Sequence, residues 1–184
     1  MPSPQSLSEP DRREVAAWAA DCAERVLGLF EAEAPHDDRA RDAIARARGF
    51  ARGERDAAGE IRRRFEAGRA AKSVSSPPAV AAARAAAQAS GVAHMGAHAL
   101  GAAAYAVRAV ELSAGSAVER EGAAAREIDT QVSLATDGAR RALASLPRVG
   151  DDSAGPLGPG LLSTGRLGEI IASLQAGLTS TGSS

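Results

Sequence analysis

The chain has 184 residues, the length of one domain, and carries a formal net charge of only −1 at pH 7. Aromatic residues make up 3% of it, and β-branched residues never alternate over the length of a strand, which excludes a β-sheet fold. Alanine, the strongest helix former, stands in place of bulkier residues. The composition therefore predicts an all-α, single-domain helical bundle whose helices approach one another closely.

The sequence also limits where the protein acts. The opening residues lack the charged and then apolar pattern of a secretion signal, and no uncharged apolar stretch is long enough to span a membrane. The single cysteine, Cys22, has no partner for an internal disulfide, which is typical of a reducing compartment. We therefore expect a cytoplasmic protein with no membrane partner.

Apolar spacing and capping residues predict six or seven helices in the bundle. The first covers about 9–33, with Ser8 as a typical N-cap, and it follows residues 1–8, which are predicted to be disordered. The further helices have approximate bounds of 39–53, 56–72, 77–90, 92–113 and 117–146.

Pro147 stops the last long helix, so the pattern predicts a bundle domain over 9–147. Residues 148–163 are rich in Gly, Pro, Ser and Asp, a composition typical of a flexible linker. A short accessory C-terminal helix and a polar tail follow over 164–184. Because the linker separates this helix from the bundle, we expect residues 148–184 to be dispensable for folding.

Three polar residues share one face of the fifth predicted helix. His94 and His98 are four residues apart and Tyr105 lies two turns further along. The histidine spacing also suits two metal ligands, but the zinc-protease motif requires Glu where this chain has Met95. No third ligand lies nearby in the sequence, although His36, Asp37 or Asp38 could approach in the fold. No metal site is therefore predicted, and the lack of nucleotide-binding motifs predicts no cofactor. His98 is the candidate acid–base group on this face.

The acidic turn Asp37-Asp38-Arg39, at the start of the second predicted helix, is another candidate. Capping and the helix dipole explain one aspartate, but the pair beside an arginine could also organise a pocket. A buried His98 would need a hydrogen-bond partner, and this turn offers carboxylates. If the protein binds or converts a small molecule, we expect a pocket between the turn and the histidine face, with His98 and Asp38 as catalytic candidates. Its predicted ligand- or partner-binding residues are Asp37, Arg39, His94 and Tyr105.

Residues 39–72 hold eleven Arg and Lys residues against five Asp and Glu residues. Such an excess could bind the phosphate backbone of a nucleic acid. The acidic residues are interspersed among the basic ones, however, which is typical of a solvated helix face. Nucleic-acid binding is therefore the weakest of the functional interpretations.

Three stretches together resemble one protein family. They are the run from Asp11 to Leu27 with Leu29-Phe30-Glu31, the turn Asp37-Asp38-Arg39 with Arg41, Ala43 and Ile44, and the run from Ala97 to Ala106 with Arg108 and Ala109. In this order they are similar to the all-helical immunity proteins attached to bacterial polymorphic toxin systems. The similarity covers about 11–147. Gly28 and Ala40 replace prolines that are common in the family, and residues beyond Pro147 match poorly.

The resemblance implies neutralisation of a toxin by a helical surface that covers the toxin's active site, a role that needs no catalytic residue. Asp37, Asp38, Arg39, His98 and Tyr105 coincide with motif residues of the family. The alternative is a small-molecule-binding protein or an enzyme of a biosynthetic pathway that uses the predicted pocket. The expected partner is thus a toxin protein or a small-molecule ligand.

Overall fold

A computed structural model describes residues 3–180, with the side chains of 61–65 left outside the description. This part of the chain forms eight α-helices and contains no strand, which confirms the predicted all-α, single-domain fold. The helices are α1 Glu9–Glu31, α2 Arg39–Ala51, α3 Ala57–Ala70, α4 Pro77–Gly91, α5 His98–Ser113, α6 Ala117–Leu134, α7 Asp137–Ala144 and α8 Gly165–Ser180.

Capping residues determine where several helices begin. Ser8 and Ser76 accept hydrogen bonds from backbone N–H groups in the first turns of α1 and α4, and Ser116 forms the expected capping box with Glu119 at α6. The predicted long helix 117–146 is broken in two, however. Thr136 accepts a hydrogen bond from the N–H of Ala139 and so caps a separate α7.

The core lies where α1, α4 and α5 meet, and α4 packs most extensively against α5. The facing surfaces of these two helices consist largely of buried alanines, which allow their backbones to approach closely. Trp18 is the large anchor on α1, with 2% of its surface exposed. Its indole Nε1 donates a hydrogen bond to the Gln131 carbonyl at 2.8 Å, which ties α6 to α1.

The N-terminal segment is folded where the structure describes it, which corrects the prediction of a disordered 1–8 for residues 3–8. Gln5 is fully buried, and its side-chain oxygen accepts a hydrogen bond from the N–H of Leu157 at 2.9 Å. Its side-chain nitrogen donates to Asp152 and to the Ala154 carbonyl. One buried amide therefore joins the start of the chain to a loop about 150 residues later. Residues 1–2 lie outside the description.

The segment after Pro147 is packed rather than detached. Leu157 is fully buried within the predicted linker 148–163. The final helix, α8, packs against α5, α6 and α7 and buries Ile170, Ile171, Leu174 and Leu178. Composition alone suggested a flexible linker, but its backbone groups find partners in Gln5 and Gln175. Between residues 3 and 180, no helix has the length and apolar character needed to cross a membrane.

A candidate binding groove between two helices and the C-terminal loop

An open groove of about 410 Å³ lies between the α4–α5 pair and the loop that precedes α8. The predicted residues His94, His98 and Tyr105 do line one common surface. The opposite wall comes from the segment 155–162, which the sequence had indicated as a linker. The remaining lining residues are Gln88, Met95, Gly155, Pro156, Gly160, Leu161 and Leu162.

Two glycines make the close packing in this groove possible. A Cβ atom at Gly91 would lie 3.1 Å from the His98 ring, so the absent side chain leaves room for the imidazole. A Cβ atom at Gly101 would lie 2.5 Å from the side-chain oxygen of Gln88 and 2.9 Å from Leu162. Both distances are shorter than non-bonded contacts allow. Glycine at this position on α5 therefore lets α4 and the C-terminal loop meet over α5.

His98 is half-buried and is held by a neutral amide. Its Nδ1 lies 2.7 Å from the side-chain oxygen of Gln88. Because an amide oxygen only accepts, Nδ1 carries the proton and Nε2 is left as a hydrogen-bond acceptor. Burial, with a smaller contribution from nearby His94, lowers the pKa of His98 to about 4. The imidazole is therefore neutral at pH 7.

Tyr105 is 4% exposed, and its ring lies under a guanidinium group. The central carbon of Arg84, which is exposed on α4, is 5.7 Å from the centroid of the ring. Arg84 and Gln88 are one helical turn apart, so both face the same side of α4. Arg84 therefore places a cation at the rim of the groove.

The acidic turn before α2 forms a separate structure that satisfies its own charges. Arg39 donates to both carboxylate oxygens of Asp37, at 2.8 Å and 2.6 Å, and the hydroxyl of Ser73 donates to Asp37 at 2.7 Å. These hydrogen bonds, that from Arg39 above all, hold the pKa of Asp37 well below its usual range. Asp38 is exposed and makes no side-chain cap hydrogen bond. The turn therefore connects the α1–α2 junction to the loop before α4.

The prediction of a pocket between this turn and the histidine face is wrong. The carboxylate of Glu33, close to the turn, binds the N–H groups of Ser75 and Ser76 at the start of α4. His98 packs on Gly91 at the other end of that helix. The 15 residues of α4 separate the two places by about 22 Å. Asp38 and His98 therefore cannot act as one acid–base pair.

Most of the basic side chains that the structure describes in the segment 39–72 are neutralised within the protein. The side chains of eight of its eleven basic residues are described, and six of these eight form ion pairs with carboxylates. The six are Arg39, Arg41, Arg46, Arg48, Arg52 and Arg55. Arg46 is 1% exposed and contacts Asp42, Glu60 and Glu66. Apart from the buried Arg46–Glu60 contact, these ion pairs lie at the surface, as expected of a solvated helix face.

Comparison with known proteins identifies the family. The model of the Imm-5 like putative immunity protein family matches residues 5–136 of the chain. The chain belongs to this family. The match begins at Gln5 and runs through α6, so it includes the α4–α5 wall of the groove. No curated protein and no solved structure matches the chain.

In this member of the Imm-5 like family, sequence reasoning missed half of the groove. Arg84 and Gln88 were not recognised, although they are polar residues four apart in a run of alanines. That contrast is a usable signal for a functional helix face. The wall 155–162 lies beyond the residues that match the family, and its place could not be read from local pattern. No set of three or more His, Cys, Asp or Glu side chains within the described residues is arranged to hold a metal ion.

Proposed function

We propose that this protein is an immunity protein that neutralises a bacterial toxin by binding to it. The observation that carries this proposal is the family match over residues 5–136. The resemblance of three separate stretches of the sequence to the same family supports it independently of the fold. A preformed surface favours neutralisation by binding, and helices packed closely around the α1–α4–α5 core can present one.

The chemistry of the groove favours binding over catalysis. His98 contacts the neutral amide of Gln88, whereas a catalytic histidine is usually oriented by a group that stabilises its charged form. Its lowered pKa, about 4, makes it a weak base and removes the proton that a general acid needs at pH 7. The groups in the groove are therefore suited to binding a partner rather than to acid–base catalysis.

The genes that neighbour this one supply candidate toxin domains, and the proposal is tested by pairing each candidate with this protein. We expect co-expression to restore growth of bacterial cells that produce the toxin, and the purified protein to inhibit toxin activity with a stoichiometric end point. Persistent growth arrest together with no complex on gel filtration would overturn the proposal. Inhibition by far less than one equivalent would instead indicate that the protein destroys the toxin or its product catalytically.

A small-molecule-binding function is a second candidate, and one observation favours it. The groove volume of about 410 Å³ is within the range of about 300–1,000 Å³ that is usual for ligand sites. A thermal-shift screen of small metabolites tests this function. A compound that raises the melting temperature of the wild-type protein but not of a Leu161→Asp variant would support it.

A cytoplasmic site of action is part of the proposal. Cys22 is a free thiol with no exposed surface, and burial raises its pKa well above the usual value. Such a thiol is protected from oxidation but offers no disulfide for an oxidising compartment. Fractionation of the producing cells tests this placement, and recovery of the protein outside the cytoplasm would overturn it.

A further inference from the structure

We propose that the groove between α4–α5 and residues 155–162 receives a polypeptide segment of the toxin, one that presents a carboxylate beside an apolar side chain. This inference rests on the proposed function and assigns the contact surface and the chemistry of the partner. The groove combines α4 and α5, which lie within the residues that match the family, with a loop that lies outside them.

The groove offers an apolar surface to a partner. Leu161 is 64% exposed and is one of three large apolar side chains that are exposed in the described part of the chain. It lines the groove together with Met95, Pro156 and Tyr105. Methionine is enriched at protein interfaces, and Met95 is partly exposed, whereas Tyr105 is almost fully buried and forms the base of the groove. An exposed leucine beside them marks a place where covering by a partner is favourable.

The rim of the groove carries a cation that has no anionic partner within the described residues. Arg84 contacts the ring of Tyr105, and no described carboxylate pairs with it. The arginines of the 39–72 segment behave differently, because most of those described are paired internally. His94 is exposed at the same groove. A carboxylate on the partner would complement this side of the groove and pair with Arg84.

The floor of the groove presents a directed hydrogen-bond acceptor. Gln88 holds the proton of His98 on Nδ1, so the other ring nitrogen accepts from a donor such as a backbone N–H. The groove is open to solvent, whereas sites for small molecules usually enclose most of the ligand. An extended peptide segment supplies backbone donors, a carboxylate and an apolar side chain together. Those three features match the acceptor, the cation and the apolar wall.

A phage-displayed random-peptide library selected on the purified full chain tests the inference. We expect enriched peptides to carry Asp or Glu close to an aromatic or large aliphatic residue. Arg84→Glu and Leu161→Asp should each weaken binding of a synthetic enriched peptide by at least about tenfold. A second selection on Arg84→Glu should enrich basic peptides instead, because the charge at the rim is reversed.

Two matched variants on α6 serve as controls. Val118→Asp places the same charge at a residue that is 84% exposed, and Arg126→Glu reverses an exposed arginine. Both should bind the peptide as the wild type does, and all four variants should show wild-type circular dichroism. Equal weakening by the control variants, or enriched peptides without acidic residues, would overturn the inference. Failure to enrich any peptide, with stabilisation of the wild type by benzoate, would replace the polypeptide with a small carboxylic acid.

The neutralisation assay separates this inference from the proposed function. Neutralisation by the wild type that is unchanged in Arg84→Glu and Leu161→Asp would leave the immunity function standing and remove the groove as its contact surface. Failure of the wild type to neutralise would remove the immunity function, while the peptide selection would still report what the groove binds.

Discussion

The two ends of α4 show two ways in which polar residues are used in this protein. At the N-terminal end, Asp37 and Glu33 are fully occupied by Arg39 and by the serines of the neighbouring loop. At the C-terminal end, Gln88 and His98 line an open groove beside an apolar wall. The charged end looks like a site in the sequence, yet the carboxylates of Asp37 and Glu33 are satisfied internally. The end where the neutral Gln88 and His98 side chains meet is the one that leaves hydrogen-bonding capacity for a partner.

The C-terminal end of α4 depends on chain beyond Pro147, and deletion of residues 148–184 is expected to have the largest effect. The deletion removes the groove wall and the buried Leu157, Ile170, Ile171 and Leu174. Each such side chain contributes about 1.5–3 kcal/mol on burial, so the sum approaches the whole stability of about 5–15 kcal/mol of a typical domain. We expect circular dichroism to show no cooperative thermal transition. Cooperative melting at the wild-type temperature would show that residues 9–147 fold as an independent domain.

A smaller effect is expected from Gln5→Ala, which removes the hydrogen bonds between the Gln5 side chain and the groove wall. The change leaves the N–H of Leu157 and the Ala154 carbonyl without their partner, at a cost of about 1–3 kcal/mol in the free energy of unfolding. Hydrogen exchange at the Leu157 amide should accelerate. Gln175→Ala is the matched control, because Gln175 anchors Val149 and Pro147. It should destabilise the protein while leaving the Leu157 amide protected, and equal exchange in both variants would contradict the role of Gln5.

The pKa of His98 predicts a loss of stability in mild acid. The folded value of about 4 lies below the usual unfolded value of about 6.5, so protonation favours the unfolded state. The free energy of unfolding should be unaffected by this group above about pH 6.5 and should fall as the pH drops from there towards 4, by at most about 3 kcal/mol. The His98→Asn variant should lose this part of the pH dependence. Identical pH profiles for the two proteins would show that His98 is freely solvated.

The smallest effect is expected from Asp37→Asn, at the charged end of α4. Solvent screens the ion pair with Arg39, whose side chain is 42% exposed, so the variant should lose no more than about 1 kcal/mol at pH 7. The pKa of Asp37 is lowered, so its contribution is present above about pH 4 and decreases as the pH falls below that value. Asp38→Asn is the matched control, and it should leave the free energy of unfolding from chemical denaturation unchanged. A loss above about 3 kcal/mol for Asp37→Asn would give the turn a larger structural role than its exposure allows.

Some features of this protein could be predicted from the sequence because they depend on neighbouring residues. Alanine content and 3–4 residue spacing determine the helices, and Ser8, Ser76 and Ser116 begin three of them through their own side chains. The shared face of His94, His98 and Tyr105 follows from helical periodicity in the same way. The family could also be identified, since its motifs are local runs of residues.

The tertiary structure alone decided which of these elements meet. The Asp37 turn and His98 were both plausible walls of one pocket, but the length of α4 keeps them apart. The segment 155–162 has the composition of a linker, yet it becomes a wall because the buried amide of Gln5, at the other end of the chain, satisfies its backbone. Contacts between residues about 150 positions apart leave no trace in local periodicity. They arise from burial and hydrogen-bond satisfaction, which are properties of the whole packed chain.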